Sequence, residues 1–271
     1  MRVTENNGVT LYSFESPAFE SVTTFVTTRN NVAGSAPARG NFNLGLYCGD
    51  DNSRVEQNLQ QLCEVLHITR SQLYYPHQVH STQVLHIDAD FTTLSCAEQL
   101  AALDGVDAII TDVAGIAIAV TTADCVPIIL YDTRHRAIAA IHAGWRGTAQ
   151  QIVLHTLNAM KEQYGTCPSD VQAGIGPCIG LDAYEVGDEV VDAMRNVGFD
   201  TNCIAIRHKS TGKYHIDLAA ANADLLLRCG VELEHIEVCG ICTYRNSRDF
   251  YSYRADGASS GRFLTGVMIT E

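Results

Sequence analysis

A chain of 271 residues, 46% hydrophobic and 18% charged, has the composition of a globular protein, and we expect one domain spanning residues 1–271. Its net charge of −13 makes nucleic acid and membrane surfaces poor partners, although a local pair of arginines can still bind phosphate in an acidic protein. No run approaches the ~18 consecutive apolar residues of a membrane helix, and no secretory signal is visible. We therefore expect a cytoplasmic protein whose ten cysteines are reduced thiols.

The first predicted elements are a strand, a long loop and a helix. Residues 22–28 alternate in polarity and are rich in β-branched side chains, which predicts a strand. The segment 30–51 is rich in Gly, Asn and Pro, and loops of this length in a compact domain are usually functional. Asp51 or Ser53 then caps a helix that ends near Leu66 and packs an apolar face into the core.

Two histidines follow, between predicted strands at residues 73–75 and 83–87. Pro76 and the alternating pattern favour extended chain through this segment. In extended chain the odd spacing directs His77 and His80 to opposite sides. One of the two is therefore expected to lie away from any site.

The central segment, residues 104–147, contains four short apolar runs. Each run is bounded by turn residues and rich in Val, Ile or Ala, which is typical of strands buried on both faces. We predict four adjacent strands from them. The runs are residues 108–110, 116–120, 126–131 and 137–141.

Polar side chains stand at the ends of these predicted strands. Asp124 and Cys125 lie between the second and third runs, and His142 and Arg146 follow the fourth. Free cysteines and isolated histidines beside apolar runs are often core residues. Glycines on both sides of Trp145 and Arg146, however, indicate backbone turned tightly toward a ligand. We therefore expect these groups to converge on one cleft.

The rest of the chain alternates between strands and amphipathic helices without regular crossovers. That pattern excludes Rossmann and TIM-barrel folds and favours an α+β fold, a single layered domain of mixed β-sheets flanked by helices. Helices are predicted at residues 150–164, 188–196 and 217–229, strands at 171–175 and 235–238, and closing segments at 250–254 and 263–269.

Four motifs occur in an order that identifies a resemblance. They are TADC-x-P from Thr122, HAGWRG from His142, GPCIG-x-x-x-YEVG from Gly176, and CT followed six residues later by FYSYR-x-DG. The chain resembles the YfiH or laccase-domain family from about residue 27 to residue 269. This resemblance implies a fold similar to that of certain toxin deamidases. It also implies a zinc-dependent enzyme that phosphorolyses adenosine, inosine and methylthioadenosine and deaminates adenosine, with purine nucleosides and phosphate as its partners.

The resemblance also implies a metal site. The family motif assigns a ligand role to the second histidine, His80, and Cys125 and His142 complete the three protein ligands of a catalytic zinc with a fourth position open. Spacing alone does not establish that these three residues converge. In the implied deamination, zinc lowers the pKa of its bound water toward ~7 so that hydroxide attacks the purine. Copper is a substitute metal for such a site.

Further site residues follow from the same resemblance. Arg29 and Arg146 are expected to bind phosphate, and Asn43 and Cys178 to lie beside the substrate, although Cys178 also fits a buried structural thiol. Together with Cys125 and His142, Asp124 is expected to be catalytic, by orienting a ligand or relaying a proton, or else to cap a strand-end turn.

The loop departs from the family pattern, with Ala-Arg at residues 38–39 and Tyr47 where many members carry histidine. The sequence leaves open whether this departure, at Arg39 and Tyr47, changes substrate choice. The C-x-x-C pair Cys239 and Cys242 lacks a thioredoxin-like context and is expected to be structural.

Three alternative functions remain open from the sequence. A copper-dependent polyphenol oxidase is implied by the family's older name, although the chain has no H-x-H pair. A Cys–His hydrolase would use Cys125 and His142 as a thiolate–imidazolium pair. A non-catalytic binding protein, or a factor in cell-wall precursor editing, is a further role attached to the family.

Overall fold

Two six-stranded sheets form the framework of the computed structural model, which describes residues 1–30 and 42–270. The strands are β1 (Arg2–Asn6), β2 (Val9–Ser13), β3 (Val22–Thr27), β4 (Leu73–Tyr74), β5 (Val84–His86), β6 (Ala108–Thr111), β7 (Ala117–Thr122), β8 (Val126–Asp132), β9 (Ala137–Ala143), β10 (Val171–Ile175), β11 (Glu185–Val186), β12 (Ala205–Arg207), β13 (Tyr214–Ile216), β14 (Ile236–Val238) and β15 (Phe263–Ile269). The α-helices are α1 (Asn52–Leu66), α2 (Cys96–Ala102), α3 (Trp145–Ala149), α4 (Ile152–Tyr164), α5 (Asp188–Asn196), α6 (Thr201–Ile204), α7 (Leu218–Arg228) and α8 (Tyr253–Asp256).

The strand order is β1-β2-β3-β15-β7-β4 in the first sheet and β14-β10-β8-β9-β6-β5 in the second, and β11-β13-β12 form a small third sheet. Most neighbours are antiparallel, but β4 pairs with β7, β5 with β6, and β10 with β14 in parallel. The predicted α+β class, with mixed sheets flanked by helices, is confirmed. Within residues 1–30 and 42–270 no helix has the length and apolar character needed to cross a membrane.

Three apolar clusters hold these layers together. The first lies between α1 and the outer face of the first sheet, the second between the two sheets, and the third between the second sheet and helices α4, α5 and α7. Full burial of one Leu, Ile or Val side chain contributes roughly 1.5–3 kcal/mol. The positions of the three clusters give the order of the layers, which is α1, the first sheet, the second sheet and then helices α4, α5 and α7.

The prediction of four adjacent central strands is wrong in one respect. Strands β8, β9 and β6 are neighbours in the second sheet, whereas β7 lies in the first sheet between β15 and β4. Ile118 and Val120 of β7 pack in the cluster between the sheets, and Ala117 and Ala119 pack in the cluster with α1. A strand inside such a stack is buried on both faces whichever sheet it joins, so an apolar run does not reveal its sheet.

Helix boundaries follow the predicted caps, with one difference. Asp51 caps α1 as expected, because its carboxylate accepts the Ser53 amide at 2.9 Å. The helix predicted at residues 150–164 begins at Ile152, because Gln151 has a left-handed backbone with φ of 60°. The short helix α3 precedes it. The hairpin of β1 and β2 was not predicted.

The ends of three central strands meet at one edge of the stack. Cys125 directly precedes β8, and His142 in β9 pairs across to Pro127 of β8. Thr122 ends β7 of the first sheet next to the same edge. The fold thus brings the Cys125 and His142 side chains to neighbouring positions on two strands.

Candidate metal and substrate site

His80, Cys125 and His142 form a compact group of three donor atoms. Their ligand atoms all lie within 4.8 Å of one another, and the Cys125 Sγ is 3.7 Å from the His80 Nε2. Zn–S and Zn–N bonds of about 2.3 and 2.0–2.1 Å at tetrahedral angles require a sulfur–nitrogen separation of about 3.6 Å. The donor atoms therefore fit one metal ion.

A buried carboxylate, Asp107, orients His142. The His142 Nδ1 is 2.7 Å from the Asp107 Oδ1, and the His142 amide donates to the Asp107 carbonyl oxygen at 2.8 Å. An ionised carboxylate accepts only, so Nδ1 carries the proton and Nε2 is the nitrogen available to a metal. Asp107 was missed by sequence reasoning. The sequence feature that could have identified Asp107 is its place directly before the apolar run at residues 108–110. In the fold this position lies next to His142, because Ala108 pairs with Ile141.

The prediction of extended chain through the two histidines is wrong. His80 has a left-handed backbone with φ of 62°, and the amides of Val79, His80 and Ser81 all donate to the Asp107 carboxylate. In such a turn successive side chains no longer alternate between two sides, so His77 and His80 need not point in opposite directions. Both His77 and His80 consequently face the same cavity.

His77 lies in the cavity wall but outside the three-donor group. Its ring stacks on Tyr47 with 3.9 Å between centroids, and its Nδ1 lies 2.6 Å from the Asp104 carboxylate. Tyr47 is 58% exposed and lines the same cavity. The expectation that one histidine lies away from any site is therefore wrong, because both line the cavity, although only His80 belongs to the donor group. Residues 38–39 of the divergent loop lie outside the described residues.

The charges within the group support one another. Burial raises the pKa of the Cys125 thiol, but the His142 and His80 imidazoles outweigh burial and lower that pKa below its usual range. Burial lowers the pKa of His142, but the Cys125 thiolate and the Asp107 carboxylate outweigh it and raise that pKa. A thiolate is the form of cysteine that binds metals and attacks carbon. The group is therefore suited to either chemistry.

A cavity of about 390 Å³ opens above the three donors. Its wall carries four aromatic side chains and two arginines, a mixture of flat apolar surface and positive charge that suits a nucleoside and an anion. These residues are Tyr47, Trp145, Tyr184, Tyr253, Arg254 and Arg262.

The two cavity arginines are held by backbone carbonyl groups. Arg254 donates to the carbonyl oxygens of Ala183 at 3.1 Å and Glu185 at 2.9 Å. The Arg262 guanidinium donates to the carbonyl oxygens of Ser260 at 2.9 Å and Gly261 at 2.8 Å. Across residues 1–30 and 42–270, no ion pair of 4.0 Å or less includes either guanidinium. Both positive charges thus remain available to an anion.

The arginines predicted to bind phosphate lie elsewhere. Arg29 donates to the Ser247 carbonyl oxygen and to the Asp256 carboxylate, both at 2.8 Å, so its charge is already paired. Arg146 is exposed and stacks over the Trp145 ring at 4.3 Å from the centroid. Neither side chain belongs to the described wall of the cavity.

Asp124 and Asn43 contact the chain segments that carry the two cavity arginines. The Asp124 carboxylate accepts the Arg254 amide and the Thr243 hydroxyl, both at 2.7 Å. The Asn43 side-chain oxygen accepts the Arg262 amide at 2.7 Å. Asp124 thereby connects the turn after β7 to the segment that carries Arg254, which agrees with the alternative role of capping a strand-end turn. The buried Asn43 likewise holds the backbone of Arg262 in place.

Cys178 is a core residue. It is 5% exposed and packs in the cluster between the second sheet and the helices. Burial raises the pKa of the Cys178 thiol well above its ordinary value, so it remains protonated. Its contact with substrate stays a prediction without support from this geometry. Cys239 and Cys242 are free thiols outside the described cavity wall.

Gly144 leaves room for the donor atoms. A Cβ at this position would lie 2.7 Å from the His80 Cδ2 and 3.1 Å from the Cys125 Sγ. Gly144→Ala is therefore expected to displace the exposed His80 side chain and to weaken metal binding by about 10- to 100-fold, the range for lost ligand-orienting contacts. Thermal stability should change little, because an exposed ring moves without disturbing the core.

The matched control is Gly147→Ala, whose Cβ would meet its nearest neighbour at an ordinary 3.5 Å. The affinity of both variants for added metal ion is measured by competition with a chelator. Equal affinity in the two variants would show that Gly144 is not needed for metal binding.

Comparisons with known proteins agree with the motifs. A family model described as "Multi-copper polyphenol oxidoreductase laccase" matches residues 23–270. The chain is 42% identical over 252 residues to "Purine nucleoside phosphorylase" of Bacteroides thetaiotaomicron, covering 93% of each chain. It is 43% identical over 248 residues to "Adenosine deaminase RL5" of an unknown prokaryotic organism, covering 92% of this chain and 94% of that protein. The crystal structure of YlmD from Geobacillus stearothermophilus superposes with a TM-score of 0.86 at 33% identity, covering 94% of each chain.

Proposed function

Because this chain belongs to the multi-copper polyphenol oxidoreductase laccase family, we propose that it is a zinc-dependent purine nucleoside phosphorylase that also deaminates adenosine. Its substrates in this proposal are adenosine, inosine and methylthioadenosine. The observation that carries the proposal is the joint placement of three metal-binding donors and two unpaired arginines in one cavity of nucleoside size. Relatives named for both activities support it.

His80, Cys125 and His142 would hold the metal. When bound, zinc would act as a Lewis acid and would lower the pKa of a coordinated water. The Cys125 thiolate and the Nε2 atoms of the histidines supply the donors, and the Asp107 carboxylate keeps the His142 proton on Nδ1. With three protein ligands, a bound zinc would keep a fourth coordination position for water or substrate, as catalytic zinc sites do.

Arg254 and Arg262 bind phosphate in this proposal, in place of Arg29 and Arg146. A guanidinium pairs bidentately with phosphate oxygens, and the backbone carbonyls behind both side chains fix their direction without neutralising their charge. In phosphorolysis a phosphate oxygen forms a bond to ribose C1′ while the bond from C1′ to the purine breaks. Both arginines therefore belong beside the ribose.

Tyr184 is positioned to assist the departing base. Burial, and secondarily the charge of the Cys125 thiolate, raises the pKa of Tyr184, so its hydroxyl stays protonated and can only lose its proton to a strong base. Tyr184 lines the cavity, and a neutral hydroxyl there can donate a hydrogen bond to a purine nitrogen that gains negative charge. The aromatic rings of Tyr47 and Trp145 offer apolar surface to the same purine.

The test uses adenosine with and without inorganic phosphate. Adenine and ribose 1-phosphate should form only with phosphate, whereas inosine should form in either condition. Arg254→Lys and Arg262→Lys should each raise the KM for phosphate by about tenfold or more, roughly 1.4 kcal/mol, without loss of zinc.

Arg29→Lys and Arg146→Lys are the matched variants outside the cavity wall. They are expected to leave the phosphate KM within about twofold, since loss of an exposed or already paired guanidinium removes no cavity charge. A raised phosphate KM in Arg146→Lys alone would restore the original assignment.

Two features favour a second candidate. Two histidines with one cysteine also form the trigonal set of blue-copper centres, and the family model is named for copper oxidases. Metal analysis of the purified protein separates the candidates. One zinc per chain supports the phosphorylase, one copper with a strong visible absorption band supports the polyphenol oxidase, and no metal supports the Cys–His hydrolase.

A further inference from the structure

Asp107 is a fully buried carboxylate that accepts five hydrogen bonds. Its Oδ1 accepts from the His142 Nδ1 at 2.7 Å and the His80 amide at 3.0 Å. Its Oδ2 accepts from the Ser81 amide at 2.7 Å, the Ser81 hydroxyl at 2.8 Å and the Val79 amide at 3.2 Å. One side chain thus contacts the ring of one candidate metal ligand and the backbone of another.

The backbone contacts have a specific consequence for His80. Its left-handed conformation, with φ of 62°, is unfavourable for a residue with a Cβ. Three successive amides converge on one carboxylate in this turn, and an anion in such a cluster offsets the unfavourable backbone. With the turn held, the His80 ring lies next to Cys125 and at 75° to the His142 ring, with 4.8 Å between centroids.

We propose that Asp107 is a positioning residue that sets both imidazoles for the metal before the metal binds. It fixes the tautomer and direction of His142 through the side chain, and the place of His80 through the main chain. The inference rests on the proposed metal-dependent function and deepens it. Loss of Asp107 should therefore weaken two ligands at once, although Asp107 is not itself a ligand.

A second buried carboxylate of this chain offers a matched comparison. Asp132, at the opposite end of β8, is also fully buried and accepts from the His135 Nδ1 at 2.8 Å. It also accepts the amides of Arg134 at 2.9 Å and His135 at 3.0 Å. Asp132 therefore reproduces the chemistry of Asp107 at a place outside the described cavity wall.

The experiment compares Asp107→Asn with Asp132→Asn in the full-length protein. Asparagine keeps the size of the side chain, but its NH2 group donates where the native oxygen accepts. We expect both variants to lose some thermal stability. We expect only Asp107→Asn to weaken zinc binding, by about 10- to 100-fold in competition with a chelator. Its kcat/KM at saturating zinc should also fall, while that of Asp132→Asn should not.

Equal zinc affinity in the two variants would overturn the proposal, because Asp107 would then support folding alone. If Asp107→Asn does not fold, hydrogen exchange in the zinc-loaded native protein decides. The Nδ1 proton of His142 and the amides of Val79 to Ser81 should then exchange slowly, and fast exchange of these protons would overturn the proposal.

Failure of the proposed function is distinguishable from failure of this inference. A native protein that binds no zinc under chelator competition contradicts the proposed function. Native zinc binding that Asp107→Asn leaves unchanged contradicts the positioning role alone. Neither readout depends on which nucleoside is the substrate.

Discussion

His142→Ala and His80→Ala are each expected to lose bound zinc while the protein stays folded. Each substitution removes one of three protein donors, so zinc affinity should fall by more than the roughly 100-fold attributed to outer partners. The two variants should differ in stability. His142 is buried, and its removal leaves one oxygen of Asp107 short of a donor, at a cost of roughly 1–3 kcal/mol. His80 is exposed, and its removal should leave the melting temperature nearly unchanged.

Zinc content and thermal melting are measured on the same samples. His77→Ala is the matched control, because His77 lies in the same segment and also contacts a carboxylate, but it stands outside the donor group. It should retain zinc. If His77→Ala instead loses the metal and His80→Ala keeps it, the third ligand is His77.

Alkylation of Cys125 is expected to depend on zinc. Burial raises the pKa of this thiol, but His142 and His80 more than offset burial and lower the pKa to about 6. In metal-free protein the thiolate therefore predominates above pH 6, and alkylation should stay fast from pH 8 down to about 6 and slow below it. With zinc bound, the sulfur lone pair is committed to the metal. Alkylation of the native holoenzyme should therefore be slow at every pH in this range.

Phosphorolysis and deamination should fall together when a chelator removes the zinc, and both should return when zinc is restored. Peptide mass spectrometry locates the alkylated cysteine, with the exposed Cys96 as the internal control, because its reaction should not depend on zinc. Rapid alkylation of Cys125 at full zinc occupancy would falsify metal ligation by this thiol. Base release that continues in metal-free protein would favour the Cys–His hydrolase instead.

Local patterns in the sequence were sufficient for most of the secondary structure. The apolar runs that became β6, β8 and β9, and the capped helix α1, depend on side chains that are close in sequence, so their pattern predicts them. The motif order likewise indicated the family and a metal site at His80, Cys125 and His142. His142 and Cys125 stand at strand ends and His80 in a turn, and a short sequence motif is sufficient to identify residues at such positions.

The tertiary structure alone decided how these elements combine. Burial of β7 on both faces is the same in either sheet, so only the pairing with β15 and β4 assigns it to the first sheet. The left-handed turn at His80 is hydrogen-bonded to the Asp107 carboxylate, which lies 27 positions along the chain. Sequence reasoning, which assumed extended chain, could not anticipate it.

The tertiary structure also decided which arginines have a charge available to the cavity. An arginine's role is set by the groups that its guanidinium meets, and those groups are remote in sequence. Arg29 meets the carboxylate of Asp256, 227 positions away, and its charge is paired there. Arg254 meets carbonyl oxygens 71 and 69 positions away, and its charge remains open to the cavity. The sequence by itself determined the family and the fold class and predicted the three candidate metal donors, because these follow from local pattern and motif. The orienting carboxylate and the free positive charges were decided by contacts that form only when distant segments pack together.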